Sequence, residues 1–224
     1  MIISITNKEL MELMLRQLNS FFGIDESKEL EDLKYGMEEA LKKIEHSFSF
    51  RRNKYYRKDG QVVFDPFQTD QYTIFLYYVS NVISYKTENR HLADKVYYLN
   101  KALNNVDLYH EIQLPDVFGA GHPLGCVIGR AKFSNFFYFS QHCTVGNNKN
   151  IYPSFGENVS LLTGSTIIGK TVIGNNCLIS ANTYIKDQTI PDNSLVFGSS
   201  PNLIIKHKDD DYFKSNSYFD EKVS

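Results

Sequence analysis

Cut every six residues, positions 155–190 read FGENVS-LLTGST-IIGKTV-IGNNCL-ISANTY-IKDQTI, with Phe155, Leu161, Ile167, Ile173, Ile179 and Ile185 opening the blocks. The same step runs upstream through Val127, Phe133, Phe139 and Val145, until an interruption at 147–152 breaks it. Four residues after most of these anchors stands a small or β-branched residue: Ala131, Cys143, Val159, Ser165, Thr171, Cys177, Thr183 and Thr189, with Phe137 out of character. A period of six is neither the 3.6 of a helix nor the 2 of a plain strand. It fits short strands joined by tight corners, three hexads making one triangular turn of a parallel β-helix. The anchors then point inward and stack about 18 residues apart, placing Val127 beneath Val145, Phe155 beneath Ile173 and Ile167 beneath Ile185. The fourth-position residue is small because the chain bends there. One turn cannot bury its own apolar face, so roughly three are needed for stability; the stretch supplies about three to four.

Upstream the period changes. Thr6-Asn7-Lys8-Glu9 has the form of a capping box, and Leu10, Leu13, Met14, Leu18 and Phe21 follow at helical spacing as far as Gly23. Ser27 opens a second helix with Leu30, Leu33, Met37, Leu41 and Ile44 on one face. The strongly basic segment 51–60 ends in Asp59-Gly60 and reads as a solvent-facing loop or hairpin. A third helix after Asp65-Pro66 is apolar enough at Ile74, Phe75, Tyr78, Val79 and Ile83 to be buried on more than one side, and a fourth spans 88–103. Helices segregated before strands give an α+β chain. The expected division is a helical domain over 1–105, the β-helix over 106–206 and a polar tail over 207–224 that frays.

Composition narrows the classes. A formal charge of −2 gives no reason to expect nucleic acid, and 42% apolar content without tryptophan suits a water-soluble chain. Residues 1–10 lack the basic and apolar segments of an export signal, and the apolar window 72–85 is too short to cross a bilayer. Cys126, Cys143 and Cys177 lack metal-type spacing and read as buried thiols in a reducing cytoplasm.

Several motifs carry a family resemblance. Gly121-His122-Pro123-Leu124-Gly125 ahead of the first repeats, Thr144-Val145-Gly146 before the break, and Gly198-Ser199-Ser200-Pro201-Asn202-Leu203-Ile204-Ile205-Lys206 at the close resemble the left-handed β-helix (hexapeptide-repeat) acyltransferases. Within them the likeness is to serine O-acetyltransferases and to sugar O-acetyltransferases of surface-polysaccharide synthesis, and it covers about 105–206. The resemblance implies left-handed winding, a homotrimer, and acetyl-CoA as acyl donor to a small hydroxyl-bearing acceptor. It also implies a site: Val106-Asp107-Leu108 precedes His122 by the family's interval of fifteen residues, making His122 the general base and Asp107 its orienting partner. A hydroxyl is a poor nucleophile at neutral pH, and a neutral imidazole that takes its proton during attack on a thioester supplies what is missing.

Two positions depart from the serine enzymes: Gly121 stands where they carry aspartate, and Tyr152 where they carry a second histidine. Both positions are associated with acceptor or catalytic contacts in the family, so a sugar hydroxyl becomes at least as good an acceptor as serine. His142 is a further acceptor contact or reserve base. Matched by register, Asn147, Thr163, Ala181 and Lys206 would line the pantetheine groove between neighbouring subunits, and the break at 147–152 would close it. Other readings are a non-catalytic β-helical scaffold and a zinc enzyme of the β-helical carbonic anhydrase type, using His110, His122 and His142. A Cys143–His142 nucleophile pair is disfavoured because strand neighbours face opposite sides.

Overall fold

The computed structural model describes residues 1–220. They form two compact units, residues 1–49 with 53–111, and residues 50–52 with 112 onward. The first contains β1 (Ile2–Ile3), α1 (Asn7–Phe21), α2 (Glu26–Phe48), β2 (Arg57–Lys58), β3 (Gln61–Phe64), α3 (Thr69–Lys86) and α4 (Arg90–Asn104). The capping box forms at α1, with the Glu9 N–H donating to Thr6 Oγ1 at 3.2 Å and the Thr6 N–H to the Glu9 carboxylate at 2.8 Å. Every residue from Tyr72 to Ser80 is buried in α3, which lies between α2 and α4. Gly36 permits the α2–α3 approach, since a Cβ there would stand 2.7 Å from Ile83 Cγ1. The basic stretch turns through Asp59-Gly60 into the hairpin β2–β3. It is not solvent-facing throughout: Arg51 is 2% exposed and Tyr56 1%.

The second unit is a parallel solenoid of about five coils rather than three to four. One face stacks β4 (Phe118–Ala120), β6 (Phe137–Phe139), β9 (Val159–Leu161), β12 (Cys177–Ile179) and β15 (Ser194–Ser199). A second stacks β5 (Val127–Ile128), β7 (Thr144–Gly146), β10 (Thr166–Ile168) and β13 (Tyr184–Lys186), and a third β8 (Ser154–Phe155), β11 (Val172–Ile173) and β14 (Thr189–Ile190). β16 (Asn202–His207) returns antiparallel along β15, and α5 (Asp210–Asn216) follows.

The register keeps most of the expected stacking. Phe155 pairs with Ile173 and Ile167 with Ile185, and Phe139, Val145, Leu161 and Ile179 are likewise buried. A fully buried aliphatic anchor contributes roughly 1.5–3 kcal/mol, so the column of anchors is the main source of cohesion. One end position is corrected by one residue: Ile128, not Val127, lies against Val145, and Val127 is 46% exposed. At the other end, past the last expected anchor, Ile190 turns inward against Ile173. The register advances 17 residues from Val127 to Thr144, 22 across the break from Thr144 to Thr166, 18 from Thr166 to Tyr184 and 17 from Val172 to Thr189, and a strict six-residue count cannot register the shorter coils. Phe137 is fully buried and packs on Phe133, Phe139 and Phe155, so the bulky exception belongs to an aromatic layer inside the first coils.

The polar tail does not fray over its described part: Asp209 caps α5, and Phe213 and Phe219 are buried. Residues 221–224 of that tail lie outside the described residues. Among the described residues no helix is long and apolar enough to cross a membrane.

Candidate active site

Corners of the solenoid fix where functional side chains go. Sharp bends place one residue per corner in the left-handed backbone region, which glycine and asparagine tolerate best. One corner stacks Gly125 (φ +70°), His142 (φ +58°), Gly164 (φ +73°) and Asn182 (φ +59°) in successive coils. His142 lays its ring over Gly125, where a Cβ would clash with His142 Nδ1. The backbone ties the same coils, since the His142 N–H donates to Leu124 O at 2.9 Å and the Asn182 N–H to Thr163 O at 2.8 Å. Three of the expected residues, His142, Thr163 and Ala181, therefore share one edge. Asn147 lies past the far end of β7, and Lys206 lies on β16 with its ammonium 5.6 Å from the Phe197 ring.

His122 is exposed and carries a positive φ of +49°, in a loop whose turn is closed by the Leu124 N–H on His122 O at 2.7 Å. Histidine is among the non-glycine residues that tolerate this region. The loop returns to the corner at Gly125, so His122 and His142 belong to the same end of the solenoid. Gly121 is buried, and its N–H donates to Phe139 O at 3.0 Å. A Cβ on Gly121 would fall on the Tyr138 hydroxyl, and one on Gly119 would fall on the Arg51 guanidinium.

Asp107 belongs to the first unit. One of its carboxylate oxygens accepts from the Tyr97 hydroxyl at 2.8 Å and the other from Lys101 Nζ at 2.6 Å. Burial and the Asp107 carboxylate push the Tyr97 phenol above its ordinary pKa, and the Asp107 hydrogen bond raises Lys101. His110 is buried with both ring nitrogens engaged, Nδ1 with Ser84 Oγ and Nε2 with Asp94 Oδ1, each at 2.9 Å. It therefore has no ring nitrogen left for a shared metal. Inside the solenoid the Cys143 N–H meets Cys126 Sγ at 3.3 Å, while the Cys126 thiol donates to Ser140 O at 2.9 Å. Hydrogen bonding to Cys143 and burial raise the Cys126 thiol. The thiols are buried and His142 is exposed, because His142 sits on a turn at positive φ ahead of β7 rather than in a strand.

The break in the repeat is a two-residue hairpin. Asn148 and Ile151 exchange backbone hydrogen bonds at 3.0 Å, with Lys149 and Asn150 both at positive φ. Asp187 holds it from the third corner, receiving the Asn148 amide at 2.7 Å and the Lys170 N–H at 2.7 Å. Tyr152 is 40% exposed at the base of this hairpin and lines an open cleft of about 520 Å³ with Arg130, Lys132 and Asn150.

Sequence reasoning missed the assembly behind Gly119 and Gly121. The Arg51 guanidinium lies 5.1 Å from the ring centres of both Tyr138 and Phe219, and Tyr138 stacks on Tyr218 at 3.6 Å and 10°. Glycines at alternate strand positions were the available signal, because they mark a close approach by something large.

No protein-family model matches this sequence, and no curated protein matches it either. Solved structures do match the fold. Serine acetyltransferase from Vibrio cholerae superposes with a TM-score of 0.69 at 16% identity, covering 93% of this chain and 83% of that one. The enzyme from Brucella abortus gives 0.67 at 17% identity, over 88% and 83%. A serine acetyltransferase solved in complex with CoA gives 0.66 at 16% identity, over 88% and 83%. The chain thus has the fold of these proteins, helices followed by a left-handed β-helix.

Proposed function

We propose that the protein is an acetyl-CoA-dependent O-acetyltransferase that works in the cytoplasm as a homotrimer. The observation that carries this reading is the shared edge of His142, Thr163 and Ala181 leading to the loop of His122, in a fold matched over most of its length by an enzyme solved with CoA. In this reading His122 accepts the proton of the acceptor hydroxyl as its oxygen attacks the thioester carbonyl. A backbone N–H group stabilises the tetrahedral oxyanion. The C–S bond then breaks, and the departing CoA sulfur takes the proton from the imidazolium. Asp107 orients the base, while Lys101 and Tyr97 compete for its two oxygens.

The pantetheine arm would run along the edge marked by Thr163 and Ala181, with Asn147 and Lys206 at its ends. The hairpin 147–152 would bound the channel, and His142, Tyr152 and Gly121 would face the acceptor. The acceptor is a small polar hydroxyl compound, a sugar or nucleotide sugar ahead of L-serine. His122→Ala is expected to lower kcat by about 10²–10⁴-fold while acetyl-CoA still raises the melting temperature. Turnover equal to the wild type would remove His122 from the chemistry, and no thermal response to acetyl-CoA in either protein would favour a non-catalytic scaffold.

A further inference from the structure

We infer that the cleft at the hairpin 147–152 binds the diphosphate of a nucleotide-sugar acceptor, with the Arg130 guanidinium and the Lys132 ammonium supplying the charge. The inference rests on the acetyl-transfer reading and deepens it by naming the acceptor class. The cleft encloses about 520 Å³, and Arg130, Lys132, Asn150, Tyr152 and Ser154 supply its polar wall. Two of its side chains are cationic and none is acidic. Its volume falls within the range of about 300–1,000 Å³ at which proteins hold small organic ligands.

The polar groups here are open to a ligand rather than spent on the fold. Among the described residues, the side chains of Lys132, Asn150, Tyr152 and Ser154 make no hydrogen bond or ion pair, and Lys132, Asn150 and Tyr152 are exposed. Asp187, the carboxylate that ties the hairpin, is committed to the Asn148 amide and the Lys170 N–H and does not line the cleft. The backbone beneath these groups is nevertheless fixed. The Lys132 N–H donates to Pro153 O at 3.1 Å and Lys132 O accepts from the Phe155 N–H at 2.8 Å, so the segment bearing the ammonium is bonded to the strand that follows the hairpin. A wall held in this way loses little freedom when a ligand binds.

Charge selects the class. A free sugar is neutral and gains nothing from two cations, while L-serine brings an ammonium that offsets its carboxylate. A diphosphate sets anionic oxygens on two adjacent phosphorus atoms, which suits a guanidinium and an ammonium on one wall. Tyr152 adds an exposed ring on which a nucleobase can stack, and Asn150 and Ser154 add neutral donors. Acetyl-CoA carries phosphates too, so the test has to separate donor from acceptor.

Inorganic pyrophosphate, UDP-N-acetylglucosamine, N-acetylglucosamine and CoA are to be titrated calorimetrically into the wild type, Lys132→Ala and Lys132→Arg. Pyrophosphate and the nucleotide sugar are expected to bind the wild type, more weakly as salt is raised, and the free sugar to bind more weakly than either. Lys132→Ala is expected to raise the Kd of both phosphate ligands about tenfold, and Lys132→Arg to recover most of that loss. Affinity for CoA should be the same in all three proteins, and pyrophosphate should not displace it. A tenfold loss of CoA affinity in Lys132→Ala assigns the cleft to the donor and overturns the inference. No pyrophosphate binding in the wild type, with the thermal response to acetyl-CoA intact, overturns it as well and leaves the acetyl-transfer reading standing. Pyrophosphate bound through Lys132 without any response to acetyl-CoA removes that reading instead, and the cleft stands as a diphosphate site.

Discussion

Single positions in this chain are decided by what a corner tolerates and by what the interior excludes. Asn158, Asn176 and Asn193 adopt positive φ where glycine would otherwise be required, and each is a residue type that accepts it. Phe136 and Lys149 adopt it too, and they are the exceptions among residue types that call for another reason. Phe136 rests edge-on against Phe50 and Phe219 at the cluster that fixes Tyr138. Interior positions carry their own signature in ionisation. Burial pushes the Cys177 thiol up to about 11 from an ordinary 9.0. The folded state thus holds this proton more tightly than the unfolded chain, so its contribution is complete below about pH 9 and is lost as pH rises through 11. Wild-type stability is expected to fall by about 2–3 kcal/mol over that window from this group. Urea unfolding of wild type and Cys177→Ala at pH 8 and pH 11 isolates it, since the variant should show a shallower loss; equal losses would mean the thiol is not desolvated as the structure has it.

Between coils, cohesion along one vertex comes from a column of carboxamides as well as from apolar anchors. Asn158 Nδ2 donates to Asn176 Oδ1 at 3.0 Å, Asn176 Nδ2 to Asn193 Oδ1 at 2.9 Å, and Asn193 Nδ2 to Asp210 Oδ1 at 3.1 Å. Ser217 closes the upper end on Asn158 Oδ1 at 3.0 Å. The ladder thereby links the coils to the C-terminal segment at both ends. Asn176→Ala removes two of these bonds and forces a Cβ of the wrong preference into φ +51°, whereas Asn176→Gly removes the same bonds without the backbone cost. Each lost bond is worth about 0.5–1.5 kcal/mol, and the left-handed penalty adds about 1–2 kcal/mol for alanine. The alanine variant should therefore unfold at lower urea than the glycine variant, and identical midpoints would deny the corner its conformational role. This layer was partly legible in the sequence. The hexad anchors reveal the coils because every turn repeats one burial pattern, but the 17-residue steps from Ile128 to Val145 and from Ile173 to Ile190 leave the pattern nearly intact. The α5 segment was hidden because its stabilising partners are up to 59 residues away and its own composition is polar.

At the scale of the molecule, the sequence revealed the order of helices and solenoid because each has its own period. It could not reveal that residues 50–52 belong with the solenoid, since a basic run carries no mark of a distant aromatic partner. The candidate site divides the same way: His122 stands out by its motif, while the stacking of His142 on Gly125 joins residues 17 apart and leaves no local mark in the sequence. A further consequence concerns assembly. Solenoid strands turn Val127 and Val172 outward, 46% and 43% exposed, and Leu124 and Ile151 are 52% and 46% exposed. Apolar side chains left on flat, regular faces gain most by meeting another copy, and closed cyclic symmetry is the common outcome. The edge proposed for acetyl-CoA lies on an outer corner of a single chain, at Thr163 and Ala181, so in the proposed reading a second copy would supply its other wall. Sedimentation equilibrium is expected to give the mass of three 25.8 kDa chains, and Val127→Asp or Val172→Asp should shift it towards one chain by burying an unpaired charge in the contact. If the wild type sediments as a single chain at micromolar concentration and still transfers acetyl groups, the groove between copies cannot be where the donor binds.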